Sequence, residues 1–208
     1  MPLMDCCLII LMKSLAHHEL YEKILHHDIS INNLMVHPEE PRKGILIDFD
    51  MAVLDKDLKT GIFLEVEPYS GGTLPFRAAE LCQEQPLPRS LYRHDLESFF
   101  FVLIWIMFHW SKISPNLCFG SWCTGDWVGI HGSKQGFLLR VGNQLPRDLP
   151  LLDDWIKPLW TGFVKGYSTK FDKLRESKVS SVDVMDIGNC TLYGHVTYAS
   201  YMKSLNNH

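Results

Sequence analysis

The chain has 208 residues, of which 46% are hydrophobic, 12% aromatic and 21% charged, with a formal net charge of -4. This length and composition suit one globular domain with a sizeable core, and exclude a fibrous repeat or a disordered polar tail. The slight acidic excess gives no overall basic field, so nucleic acid is not an expected partner.

Residues 8–23 read as a helix, because Leu8, Leu11, Met12, Leu15, Leu20 and Ile24 give a rough apolar stripe. The pattern breaks at residues 24–33 with His, Asp, Ser and Asn. Residues 34–36 and 44–47 then read as two short strands joined by a prolyl turn containing Pro38 and Pro41, so a hairpin is expected. From 48 to 75 no period is sustained, and Gly61, Pro68, Gly71 and Gly72 mark a long loop, the kind of segment that is more often functional than not. A short helix is expected at 77–83 and the strongest one at 93–110. Residues 111–132, rich in Gly, Ser, Trp and Cys, read as irregular. Helices at 134–141 and 151–167 follow, then an end with weak patterning. The predicted architecture is mainly α with one small β-hairpin.

Two apolar runs resemble membrane or leader segments without qualifying. Residues 8–12 are short and lack a cleavage-like site, and 99–108 falls well below the ~20 residues that span a bilayer. The second run is therefore expected inside a core, and no membrane partner is expected. Six cysteines, at 6, 7, 82, 118, 123 and 190, show no disulfide framework and suit reduced thiols. Cys118 and Cys123, near His109 and His131, fit no common zinc spacing. With no targeting signal, an intracellular location, cytoplasm or nucleus, is expected.

The chemistry-bearing residues form two clusters. In His26-His27-Asp28-Ile29-Ser30-Ile31-Asn32-Asn33, an aspartate precedes an asparagine by five positions, between a helix and a strand. Asp28 can take the proton of an attacking hydroxyl, and the Asn33 amide oxygen can hold a metal ion. In Ile45-Leu46-Ile47-Asp48-Phe49-Asp50, Asp48 ends the second strand, where a carboxylate can hold magnesium on nucleotide phosphates. Each has a bland reading: a solvated turn aspartate, or a strand-end cap. Their order, with a hairpin between them, is more specific than either alone. Two further segments follow. Gly71-Gly72-Thr73-Leu74-Pro75-Phe76-Arg77-Ala78-Ala79-Glu80 closes the long loop, and Tyr92-Arg93-His94-Asp95 opens the apolar helix. Asp95 reads either as a favourable charge at a helix start or as an anchor for the first cluster.

Taken together these segments resemble the fungal-type protein kinases, within the protein-kinase-like fold. "HHDISINN" is similar to that family's catalytic loop, "LIDFDMA" to its D-F-G motif, "GGTLPFRAAEL" to its activation-segment ending and "YRHDLESFFFVLIWI" to its central helix. The resemblance implies a kinase C-terminal lobe over residues 1–170, with sharp motifs within 15–110, and a weakly patterned tail at 171–208. It implies Asp28 as catalytic base, Asn33 and Asp48 as metal ligands, and His26 and Asp95 as support for the catalytic loop. Thr73 and Glu80 would end the activation segment, Glu80 as a tether. ATP and Mg2+ are the implied cofactors, and a protein the implied substrate or partner.

Three positions depart from the kinase pattern. His27 replaces an arginine that in regulated kinases pairs bidentately with a phosphate, Ser30 replaces a lysine, and Asp50 replaces the D-F-G glycine. No G-x-G-x-x-G occurs, and the only lysines before His26 are Lys13 and Lys23. No cofactor-binding residue for the ATP clamp is therefore identified. The N-terminal lobe is expected to be absent, and another chain could supply it. The leading expectation is an ATP-dependent serine/threonine protein kinase fragment of very weak activity alone. Its alternatives are a non-catalytic kinase-derived interaction module and a small-molecule phosphotransferase. The last lacks the Thr73-Leu74-Pro75-Phe76 and Glu80 features.

Overall fold

The apolar run at 99–108 becomes the middle of a 19-residue helix, α1 (Tyr92–Trp110), in a computed structural model of the chain. The structure describes residues 24–40, 44–54, 71–83, 88–110, 116–144, 152–176 and 187–206. The helix expected at 8–23 and most of the 48–75 loop lie outside them. Phe99, Phe100, Phe101, Val102 and Ile104 have no exposed surface at all, so every face of α1 is covered here. A helix apolar all round must be a core helix, and this one is. No helix among the described residues is long and apolar enough to cross a membrane.

Ahead of α1 lie two small antiparallel strand pairs. β1 (Ile24–Leu25) pairs with β4 (Val53–Leu54), and β2 (Leu34–Val36) with β3 (Gly44–Leu46). The expected hairpin is the second pair, in the register Leu34↔Leu46, Met35↔Ile45 and Val36↔Gly44. One further bond, from the Ile47 N–H to the Asn33 carbonyl (3.0 Å), extends the ladder. That register sets Asn33 opposite Ile47, so Asp48 leaves the hairpin at the end where Asn33 enters it. β1 and β4 were not expected. Two-residue strands carry no period, so only their pairing reveals them.

The stretch expected to be irregular, 111–132, instead contains α2 (Asn116–Cys123) and the start of α3 (Trp127–Gln144). Glycine and serine lower helix propensity there, but packing overrides a weak preference. Phe119 and Trp122 of α2 are buried and meet Trp105 and Phe101 of α1 at ring separations of 4.8 and 5.0 Å. Gly125, at φ 129°, makes the turn between the helices, and the Asp126 carboxylate accepts the Gly129 N–H (2.6 Å) at the start of α3.

The chain divides into two compact units, Met1–Gly136 and Phe137–His208, with the boundary inside α3. In the second unit a π-helical turn (Leu152–Ile156) runs into α4 (Lys157–Glu176), longer than the helix expected at 151–167. Near the chain end, α5 (Tyr198–Asn206) forms within the weakly patterned stretch. Its start is a reciprocal cap: the Ser200 N–H donates to Thr197 Oγ1 (3.0 Å) and the Thr197 N–H to Ser200 Oγ (2.9 Å). Gly166 of α4 lies so close to Leu192 that a Cβ there would stand 2.6 Å from the leucine Cβ.

Phe108, 1% exposed on α1, tests the core. Phe108→Ala is expected to cost about 3–5 kcal/mol of unfolding free energy. The measurement is the urea midpoint, with Leu139→Ala at a 46% exposed site as a near-neutral control. Equal shifts in the two variants would contradict the burial.

Candidate active site

Asp95 lies in the first turn of α1, 3% exposed, and reaches back to the segment after β1. Its Oδ2 accepts the His26 N–H (2.8 Å) and its Oδ1 the His27 N–H (3.2 Å). A desolvated carboxylate is costly unless donors surround it, and these two backbone groups supply them. Burial still pushes the carboxyl up to about 7, against the two N–H groups that favour its charged form. The grip fixes His27 at φ 68°, a left-handed conformation that a non-glycine residue adopts only under constraint.

His26 transmits that anchorage. Its Nδ1 accepts the Asp28 N–H (3.3 Å), so Nε2 carries the proton and donates to the Ile47 carbonyl (3.0 Å). The ring is 1% exposed, and burial lowers its pKa, with the Ile47 carbonyl and the Asp28 and Asp48 charges acting the other way. The neutral tautomer is the one both bonds require. His26 therefore joins the 26–33 loop to the end of the hairpin, beside the carboxylates of Asp28 and Asp48. Phe49 packs edge-on against it at 4.8 Å.

Asp28 is held from two sides. Its Oδ1 accepts both the Thr73 N–H (2.8 Å) and the Thr73 hydroxyl (2.9 Å). Asn33 Nδ2 donates to its Oδ2 (3.1 Å) and to its backbone carbonyl (2.8 Å). Both partners of that amide nitrogen are acceptors, which assigns the Asn33 amide orientation. Thr73 comes this near because Gly72 precedes it, at φ 90°, where a Cβ would stand 3.0 Å from the His27 carbonyl oxygen. Asp28 Oδ2 keeps lone-pair capacity for a hydroxyl proton.

The same amide orientation turns Asn33 Oδ1 away from Asp28. Among the described residues neither that oxygen nor the exposed Asp48 carboxylate has a hydrogen-bond partner. Asp48 sits at φ 64°, tolerated by a short polar side chain. Two hard oxygens at one end of a hairpin fit magnesium, which keeps waters and needs few protein ligands. Among the described residues no group of three or more His, Cys, Asp or Glu could hold a metal.

Glu80 lies apart from this cluster. Its Oε2 takes a charge-assisted bond from Arg93 Nη2 (2.5 Å), with His94 Nε2 at 3.3 Å, all three residues buried. It ties the end of the 71–83 segment to the start of α1. Of the departures from the kinase pattern, His27 is half-buried, which lowers its pKa, Ser30 is buried, and Asp50 is exposed. Sequence reading missed two residues. Glu97, fully buried, accepts the Ala79 N–H (2.7 Å), and Lys134 donates to carbonyls of residues 74, 75 and 77. Glu97 lies just ahead of the apolar run at 99–108 and reads as an ordinary helix-start charge, and Lys134 carries no signal either.

Replacing Asp95 with Asn is expected to cost about 2 kcal/mol, since one acceptor oxygen becomes an NH2 donor facing a backbone N–H. The pH dependence has a definite sign. A carboxyl raised from its usual 3.8 to about 7 stabilises the fold fully below the lower value, and that contribution is lost as pH rises through about 7. The deficit of Asp95→Asn should therefore shrink between pH 5 and pH 8 in urea unfolding. A deficit that grows over that range would refute the assignment.

Residues 8–107 match the family model described as fungal protein kinase. No curated protein matches the chain. Among solved structures, vaccinia related kinase 3 is similar, with a TM-score of 0.53 and 18% identity, over 97% of this chain and 53% of that one. The chain thus spans about half the length of that kinase, and at this identity the likeness is one of fold. The chain has a protein-kinase-like fold, and its residues 8–107 are similar to the fungal protein kinases.

Proposed function

We propose that the chain is the hydroxyl-activating half of an ATP- and Mg2+-dependent protein kinase that phosphorylates serine or threonine. The observation that carries this reading is the hold on Asp28: two bonds from Thr73 on one oxygen and one from Asn33 on the other. Three donors orient the carboxylate and leave Oδ2 able to accept the proton of a substrate hydroxyl as it attacks. Asn33 and Asp48 are the residues that would hold magnesium, which when bound neutralises charge on the phosphates. His26 keeps the Asp28 backbone in register with Ile47, one residue before Asp48.

The triphosphate-clamping lobe is proposed to come from residues outside this site, in the same protein or a separate chain. Met35, Phe49 and Met51, each 40% exposed or more, give apolar surface on the hairpin and beside Asp48 that suits such a partner. The same surface supports a second reading, a non-catalytic interaction module.

Transfer from Mg-ATP to serine- and threonine-containing proteins tests the first reading. The chain alone is expected to show no measurable transfer, and joining it to the glycine-loop lobe of a fungal protein kinase should raise it. In the joined protein Asp28→Asn should lower the rate ~10²–10⁴-fold, and Asp48→Ala should abolish it. Transfer that survives Asp28→Asn would eliminate the proposed base, and a joined protein that binds its lobe without any transfer would favour the interaction module.

A further inference from the structure

Lys134, on α3, has no exposed surface, yet its charge is fully committed. An ammonium has three N–H donors, and three backbone carbonyls meet them: Leu74 (2.6 Å), Pro75 (3.3 Å) and Arg77, at a short contact. The rings of Phe101 and Trp122 flank the ammonium at 5.0 and 5.4 Å. The charged and titratable groups facing it are the Glu97 carboxylate, the Cys82 thiol and the Arg77 guanidinium. Glu97 itself holds the Ala79 N–H, so two buried charges act on successive parts of the same segment.

That segment starts at Thr73. The Phe76 and Arg77 N–H groups both turn onto the Thr73 carbonyl, at 2.9 and 3.0 Å. The turn that Lys134 gathers by its carbonyls is therefore the turn that sets where the Thr73 N–H and hydroxyl point, and both point at Asp28 Oδ1. We infer that Lys134 is a positioning residue, whose ammonium locks the 73–77 turn so that Thr73 stays bonded to Asp28. Its bearing on catalysis rests on the reading of Asp28 as the base, whereas the contact itself does not.

The lock depends on charge. A neutral amine offers two N–H donors to three carbonyls, so one buried acceptor loses its partner. Burial lowers the Lys134 pKa to about 8, within reach of ordinary buffers, while it raises the Cys82 thiol above its usual 9.0. Arginine at 134 would keep its charge throughout.

Amide exchange of the full chain, followed at Thr73 and at Leu103 with intrinsic rates divided out, tests this. Thr73 protection in the parent should fall about tenfold as pH rises through about 8, the loss of roughly one hydrogen bond. Lys134→Arg should hold Thr73 protection level over that range, and Lys134→Met should lack it at every pH, with Leu103 protected in all three. Should Lys134→Met fail to fold, the parent and arginine series still decide. Thr73 protection independent of pH in the parent, or lost only together with Leu103, would overturn the inference. These readouts involve no phosphoryl transfer, so they can fail while the kinase reading stands, and the reverse.

Discussion

The two hydrogen bonds from the His26 and His27 backbone to Asp95 organise the rest of the site. A carboxylate at the buried start of a core helix must find donors in protein, since water cannot reach it. Here the donors are consecutive backbone N–H groups of a loop with little regular structure of its own. Satisfying the charge therefore fixes the loop, and His26 carries that order on to Ile47 and Asp28.

Helix α1 divides its length between two tasks. Its first turns bury Arg93, His94, Asp95, Glu97 and Ser98, while the rest buries an almost continuous aromatic and aliphatic run. The polar turns are directed at loops: Asp95 at residues 26–27, Arg93 and His94 at Glu80, and Glu97 at Ala79. The apolar turns hold α2 through Phe101, Trp105, Phe119 and Trp122. Buried charges contribute little net stability, because desolvation offsets their attraction. Their effect here is to select one backbone path among many. Asp28 sits where two such paths meet, one ordered by a buried carboxylate that needs N–H groups and the other by a buried ammonium that needs carbonyls.

Much of this was legible before any coordinates. The unbroken apolar run at 99–108 pointed to a core helix, and the prolyl turn between the short strands expected at 34–36 and 44–47 pointed to a hairpin. The aspartate, asparagine and second aspartate stood out because phosphoryl transfer uses those groups in that order. What stayed hidden had no local pattern. β1 and β4 are two residues each and exist through their pairing. Helix α2 is rich in weak helix formers and is held by Phe119 and Trp122 against α1. Lys134, in a run with Gly132, Ser133 and Gly136, reads as an ordinary surface residue.

The sequence alone determined the core helix, the hairpin and the types of residue available for chemistry, because periodicity and side-chain chemistry are local properties of a chain. The structure added the hairpin register, which sets Asn33 opposite Ile47 and so brings Asn33 and Asp48 to one end. Only the tertiary structure decided which oxygens of Asp28 are engaged, which tautomer His26 adopts, and that a lysine 61 positions beyond Thr73 holds the turn that Thr73 begins. Those outcomes follow from where desolvated charges find their partners, and partners 45 to 69 residues apart leave no trace in local spacing.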